Sequence, residues 1–186
     1  MISKPSYIIS IFIICNCAII QAQTANLKIN PDSLNTCFLE SLIKIKIDSV
    51  RLSNNKKTLA YNDTLKKAAV DQINYVKKKK QLTHFQNDVK EKYDISDRVT
   101  YYGLQNTYVG ENLAYTYIIM KINNKKDGTY TNTTYKDLSD DIVKLWVKSK
   151  GHFKNILDEE FTKTAVAVSY DKKTKIVYAG QVFSSE

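Results

Sequence analysis

The chain has 186 residues and a formal net charge of +9, from 28 basic and 19 acidic side chains. This length suits one domain with a well-buried core and is too short for two ordinary domains. No stretch beyond the N-terminus is apolar enough to cross a membrane, which excludes a protein with several membrane spans.

The N-terminal segment has the features of a secretory signal peptide. Lys4 supplies one early positive charge, residues 7–15 are mostly apolar, and a small residue then precedes a polar run. We therefore predict a signal peptide over residues 1–22, a leader over 23–35 and one domain over 36–186. The apolar stretch falls short of the ~20 residues that span a bilayer, so no transmembrane anchor is expected. The protein should be secreted, periplasmic or on the cell surface.

The cysteines bear on how the exported chain is stabilised. Cleavage after residue 22 removes Cys15 and Cys17 and leaves Cys37 alone. The mature chain then has no intramolecular disulfide, so its stability depends on several long buried elements. We expect Cys37 itself to be a small buried hydrophobe rather than a reactive thiol.

Apolar residues at helical spacing predict three helices. The first runs from about Ser33 to Leu52. The second begins near Asp63, which can cap it, and ends in the lysine run at residues 77–80. The third spans about Asp137 to Ser149 and places Trp146 on its core-facing side.

The lysine run lies where cations favourably meet the negative end of the helix dipole. We interpret it as a solvated helix end rather than a dedicated polyanion site. Aromatic residues do not interleave with it as they do in a nucleic-acid stacking platform, so no nucleic-acid partner is expected.

The remaining segments predict loops and strands. Residues 81–112 are polar and irregular, whereas residues 113–122 are apolar and fit either a helix or a strand. A surface loop is expected over residues 123–134. Alternating residues 165–170 and 176–183, on either side of a polar turn, predict a terminal β-hairpin. Together these elements predict an α+β domain in which helices pack around an antiparallel sheet.

Two histidines, His84 and His152, each follow a predicted helix. Neutral imidazole is a common metal ligand and the usual general base near neutral pH, and a nearby carboxylate can orient it. Glu111, in a Gly-Glu-Asn turn, is the candidate carboxylate. These residues are far apart in sequence and no short metal-ligand motif such as His-Glu-x-x-His occurs, so their spacing alone supports a shared site only weakly.

Two sequence blocks add to this interpretation because they occur together and in order. The first is Gly110-Glu111-Asn112-Leu113-Ala114, and the second is Trp146-x-x-Ser149-x-x-His152-x-x-Asn155-Ile156-Leu157. With them, the chain resembles the bacterial branch of the CAP superfamily, the SCP-like cysteine-rich secretory, antigen 5 and pathogenesis-related proteins, over about residues 36–183. The resemblance implies a three-layer α-β-α sandwich with a central antiparallel sheet. It also implies a cleft in which His84, Glu111 and His152 converge.

The resemblance also implies a metal site. In the family the paired histidines can hold a divalent cation, often zinc, so His84 and His152 are the candidate ligands for zinc or another divalent cation. Many members carry a glutamate three residues after the tryptophan, where this chain has Ser149. Two imidazoles and at most one carboxylate should bind metal modestly, and less well as the histidines protonate. Further binding residues around the cleft are expected to be Ser149, Asn112, Asn155 and Gln181.

Two functions are expected from these residues. The first is non-catalytic, extracellular binding of a lipid, glycan, peptide or protein in the cleft, with or without a divalent metal. The alternative is an extracellular hydrolase or peptidase in which His84 or His152 acts as base and Glu111 orients it or acts through a metal-bound water. Ser149 in place of a carboxylate favours the first. Ser149 as a nucleophile lacks an acidic residue nearby in sequence to orient its base.

Overall fold

A computed structural model describes residues 25–118 and 132–185. Five α-helices lie wholly within these ranges and pack on the two faces of one four-stranded sheet. The helices are α1 (Thr36–Ser53), α2 (Asp63–Lys79), α3 (Ile95–Tyr101), α4 (Tyr135–Lys148) and α5 (Lys150–Leu157). The strands are β1 (Ala60–Tyr61), β2 (Val109–Tyr117), β3 (Lys163–Asp171) and β4 (Ile176–Ser184).

The sheet has the strand order β1-β3-β4-β2. The three long strands are antiparallel, and the two-residue β1 pairs in parallel with β3. Glu111 and Asn112 on β2 pair with Val182 and Gln181 on β4. Because side chains alternate along a strand, Glu111 faces one helical layer and Asn112 faces the other. Within the described residues, β2 forms an edge of the sheet.

Two apolar clusters fill the space on the two faces of the sheet. On one face, α1 and α4 pack against alternate residues of the strands, and Trp146 is fully buried there as predicted. On the other face, α2 and α3 cover residues such as Leu113 and Val182. This arrangement confirms the predicted three-layer sandwich around an antiparallel sheet.

The three long helices and the terminal hairpin lie close to their predicted positions. Side-chain oxygens cap the helices. Asn35 accepts a hydrogen bond at the start of α1, and Asn62, rather than the predicted Asp63, does so at the start of α2. A capping box formed by Thr134 and Asp137 begins α4.

Several expectations for the loops are wrong. The segment 81–112, predicted to be irregular, contains α3, which starts with a capping box of Asp94 and Asp97. His152 lies within α5 instead of in a loop. The ambiguous segment from residue 113 is strand as far as Tyr117.

Cys37 is exposed rather than buried. The predicted signal peptide and residues 119–131, which hold most of the predicted surface loop, lie outside the described residues. The described part of the predicted leader packs on the domain, since Ala25 and Ile29 are buried and the Ile29 amide donates to the carbonyl of Thr133 at 2.8 Å.

The outer edge of β3 is covered by side chains beyond the short β1. The Val168 amide donates to Glu40 Oε1 at 2.9 Å, and Lys66 Nζ donates to the Val166 carbonyl at 2.8 Å. Glu40 and Lys66 are themselves paired at 2.6 Å. None of the helices in the described part of the chain is long and apolar enough to cross a membrane.

Candidate functional site

Glu111 lies at the centre of the site, with its carboxylate buried on β2. Its Oε1 accepts a hydrogen bond from His84 Nδ1 at 2.8 Å, and its Oε2 accepts one from Arg98 Nη2 at 2.7 Å. The Glu111 side chain is 2% exposed, whereas the His84 side chain is 48% exposed. The carboxylate is therefore shared between a buried cation and an imidazole that faces outwards. We call His84, Glu111, Arg98 and His152 the histidine cluster.

Arg98 of α3 is a site residue that the sequence analysis missed. Its side chain is fully buried, and besides Glu111 it donates to the backbone carbonyls of His84 at 3.1 Å, Tyr93 at 3.3 Å and Lys92 at 3.4 Å. A guanidinium fork suits this bridging because it offers several donors in a fixed plane. Arg98 thus holds the segment that follows α2 against β2 and fixes where His84 lies.

One sequence signal could have indicated Arg98. Of the 28 basic residues, only Arg51 and Arg98 are arginines. Both are buried, and both donate to backbone carbonyls. In so lysine-rich a chain, an arginine marks a position that needs a buried, multidentate cation.

His152 of α5 meets His84 at the edge of the sheet. The ring centroids are 6.4 Å apart and the rings are inclined at 62°. Burial, and then the charge of His84, lower the pKa of His152 below its usual value. His152 is therefore neutral near pH 7 and has an unprotonated ring nitrogen.

Two asparagines hold α5 against β2. Asn112 Nδ2 donates to the His152 carbonyl at 3.0 Å. Asn155 Nδ2 donates to Asn112 Oδ1 at 2.9 Å and to the Glu111 carbonyl at 3.3 Å. Among the described residues, β2 is an edge strand of the sheet. These hydrogen bonds therefore hold α5 beside that edge, where His152 reaches the face of the sheet that carries Glu111.

Gly110 allows this approach. A Cβ atom at this position would lie 2.8 Å from Phe161 Cζ and 3.5 Å from Asn155 Cγ. Three successive residues of β2 therefore have different roles. Gly110 allows the close approach, Glu111 supplies the carboxylate, and Asn112 anchors α5.

The other two predicted site residues are Ser149 and Gln181. Ser149 joins α4 to α5, and its carbonyl accepts from the Phe153 amide at 2.8 Å. Gln181 is buried on the Asn112 face of the sheet and donates to Thr164 Oγ1 at 3.1 Å. Gln181 therefore lies on the opposite face from Glu111. In the described part of the chain, no hydrogen bond joins Ser149 to His152.

The donor set limits what metal the cluster could hold. In residues 25–118 and 132–185, no group of three or more His, Cys, Asp or Glu side chains is arranged to hold a metal ion. Both oxygens of Glu111 are already hydrogen-bonded, which leaves His84 Nε2 and one His152 nitrogen. Two imidazoles fit a weakly held cation with solvent ligands rather than a closed structural zinc site.

A family comparison identifies the domain. The profile of the cysteine-rich secretory protein family, CAP, matches residues 46–183. This chain belongs to the CAP family. Comparison with curated protein sequences finds no match.

Solved structures from bacteria share the CAP fold. An outer surface protein of Borrelia burgdorferi has a TM-score of 0.61 at 16% identity, over 86% of this chain and 97% of that one. An extracellular SCP-domain protein of Bacillus anthracis has a TM-score of 0.61 at 21% identity, over 83% of this chain and 43% of that one. A cysteine-rich secretory protein of Staphylococcus aureus has a TM-score of 0.57 at 11% identity, over 82% and 40%. This chain spans less than half the length of the last two proteins, and such identities show the fold alone.

Proposed function

We propose that this CAP domain is exported and acts as a non-catalytic binding module whose ligand contacts the histidine cluster. The observation that carries the proposal is the occupation of both Glu111 oxygens, by Arg98 and His84. A carboxylate whose two oxygens already accept charge-assisted hydrogen bonds has less capacity left to contact a substrate or a metal ion. Export is supported by the signal-peptide features of residues 1–22 and by two structurally similar proteins, one an outer surface protein and one an extracellular protein.

The cluster favours a ligand with polar, uncharged groups at the point of contact. Glu111 and Arg98 cancel each other, and the lowered pKa of His152 keeps that ring neutral. Because His84 donates through Nδ1 to Glu111, its neutral ring can accept a hydrogen bond at Nε2. The open nitrogen of His152 can donate or accept one hydrogen bond, according to its tautomer. Hydroxyl and amide groups match these nitrogens best.

A turnover assay tests the proposal. The purified protein should hydrolyse neither a mixed peptide library nor simple esters faster than its His84→Ala/His152→Ala variant. Cleavage that disappears in that variant and in Glu111→Gln would overturn the proposal. A thermal unfolding curve for each variant ensures that lost cleavage is not lost folding.

A hydrolase is the second candidate, and one contact favours it. The hydrogen bond from His84 Nδ1 to Glu111 fixes the His84 tautomer and leaves Nε2 free to accept a proton, as an oriented general base requires. The turnover assay decides between the two candidates, because only the hydrolase loses cleavage in Glu111→Gln.

We also propose that His84 and His152 hold a divalent cation weakly. Zinc titrated into the protein at about pH 7.5 should give saturable heat that is absent from the His84→Ala/His152→Ala variant. At about pH 5.5 the affinity should fall, since protons compete with the metal for the imidazole nitrogens. Heat that persists in the double variant would place the zinc elsewhere.

A further inference from the structure

A concave surface lies on the α2 side of the sheet, on the face that also carries the histidine cluster. It has a volume of about 390 Å³. We call it the tyrosine groove, and its lining residues are Lys80, Leu82, Tyr115, Tyr117, Ile176 and Tyr178.

The tyrosine groove lies on the same sheet face as the histidine cluster, and the buried Leu113 separates Glu111 from Tyr115 on β2. Tyr115 and Tyr117 share the sheet face of Glu111, because they follow it at intervals of two residues. Leu82 lies two residues before His84. Tyr178 pairs with Tyr115 across the sheet.

The rings of the groove present separate faces, since Tyr115 is inclined at 83° to Tyr117 and at 49° to Tyr178. Tyr115 lies 6.1 Å from Tyr117 and 6.3 Å from Tyr178 between ring centroids. Tyr115 is 44% exposed and Leu82 is 43% exposed, although both are large apolar side chains. Exposed aromatic surface gathered in one concave place is typical of ligand sites rather than of ordinary protein surface.

The polar atoms of the groove distinguish a sugar from an acyl chain. Tyr115, Tyr117 and Tyr178 each bring a phenol hydroxyl to the lining of the groove. A lipid tail would bury these donors without an acceptor, which is costly, whereas sugar hydroxyls can both accept from them and donate to them. The C–H face of a sugar ring also suits the apolar face of a tyrosine.

The charge at the rim indicates an acidic ligand. Lys80 is the charged residue that lines the groove, and its left-handed backbone, with φ of 54°, ends α2 there. Asp171 accepts from the amides of Lys173 and Thr174 in its own turn and also attracts Lys80. An anionic group of the ligand would therefore compete with Asp171 for Lys80.

We propose that the tyrosine groove binds an acidic polysaccharide. Sugar rings stack on Tyr115 and Tyr117, and a carboxylate or sulfate group pairs with Lys80. This ligand class deepens the proposed binding function, because a chain lying in the groove brings its next hydroxyls to His84. The groove itself is defined without the histidines, so the two ideas can fail separately.

The test uses calorimetry with two acidic probes, oligogalacturonate and a heparin oligosaccharide, and with a maltodextrin of similar length as the neutral control. Tyr115→Ala should weaken binding of an acidic probe by at least about tenfold, as truncating a central aromatic contact does. Lys80→Gln should weaken binding and lower its salt dependence. Matched controls outside the groove are Tyr101→Ala and Lys78→Gln, at an exposed tyrosine and an exposed lysine.

Three outcomes would overturn the proposal. One is that neither acidic probe binds saturably. Another is that Lys78→Gln and Tyr101→Ala weaken binding as much as the groove variants do, which would indicate unspecific attraction to a basic protein. The third is that the groove variants lose binding only to vesicles of phosphatidylglycerol and phosphatidylcholine, which would assign the groove to a membrane.

The histidine variant separates this proposal from the proposed function. Acidic-sugar binding that survives in His84→Ala/His152→Ala would support the groove while removing the histidine cluster from ligand contact. Binding lost in that variant as well as in Tyr115→Ala would support one continuous site.

Discussion

Arg98 is a buried charge, and its contribution to the stability of the fold depends on its partner, Glu111. Its contacts to Glu111 and to three backbone carbonyls compensate for the loss of water around the guanidinium. A buried ion pair stabilises the fold only while both partners are present. Removing one partner leaves the other as an unpaired charge in an apolar environment.

Replacing Arg98 should therefore cost more than replacing the pair. We expect Arg98→Met to lower the free energy of unfolding by about 3–5 kcal/mol, since Glu111 is left buried and unpaired. Arg98→Met/Glu111→Leu should recover part of that loss. Urea unfolding of the wild type, both single variants and the double variant measures the coupling. A double variant that is no more stable than Arg98→Met would contradict this account.

His152 should make stability depend on pH. Burial, and then the charge of His84, hold its folded pKa below its usual value of 6.5, so the unfolded chain binds this proton more readily. The free energy of unfolding should therefore fall as the pH drops below about 6.5. His152→Gln should flatten that fall between about pH 7.5 and pH 5.5, in denaturant titrations across that range. The same slope in wild type and variant would show that other groups cause it.

The residues of the site could be predicted to different degrees. Glu111, Asn112 and His152 lie in short blocks whose order carries the resemblance, so their candidacy was visible in the sequence. Arg98 was not, because its role depends on where α3 lies relative to β2. Gln181 was expected near the cleft, but the strand register places it on the other face of the sheet.

At the scale of elements, Phe161 and α5 can approach β2 closely because Gly110 has no side chain. Phe161 stacks with Tyr108 at 4.9 Å and with Phe183 at 5.2 Å, so its ring has little freedom to move away from Gly110. Gly110→Ala should lower the free energy of unfolding by about 1–3 kcal/mol, the usual cost of overpacking. Thermal unfolding measures it.

Gly151 is the matched control for this prediction. It lies in α5, and no atom lies within 4 Å of the Cβ that alanine would add. Gly151→Ala should stabilise the protein by up to about 1 kcal/mol, because alanine favours helix more than glycine does. A similar loss of stability in both variants would indicate that the contact with Phe161 is not the cause.

Long periodic elements were predictable and short ones were not. Helices α1, α2 and α4 each bury one regular stripe of side chains. The sequence of the β3–β4 hairpin has the two-residue period of a strand, although both of its faces are largely buried. Helix α3 has seven residues and depends on a capping box and on tertiary contacts. Only Ser149 separates the end of α4 at Lys148 from the start of α5 at Lys150. The spacing of apolar residues does not show this junction.

Cys37 illustrates why residue type alone misleads. Cysteine is commonly buried, but Cys37 lies two residues before the buried Leu39, about 200° further round helix α1. The phase of the helix, rather than the apolar character of the thiol, decided its exposure.

At the scale of the whole molecule, the predicted cleavage site must leave in place the N-terminal residues that pack on the domain. Cleavage after residue 22 keeps Ala25 and Ile29, which are buried against the domain. We expect expression of the full chain in a bacterial host to yield a mature protein that starts at Gln23, as intact mass and N-terminal sequencing would show. A protein retained in the cytoplasm at full length would refute the predicted signal peptide.

The covered edge of β3 bears on aggregation of the folded protein. Unpaired backbone groups at a sheet edge attract strands of other chains, and this is a common route to aggregation. Glu40 and Lys66 occupy two of those groups on β3, so that edge does not offer them to a neighbouring chain. If the protein is exported as proposed, it leaves the cytoplasmic chaperones with this edge already protected against fibre formation.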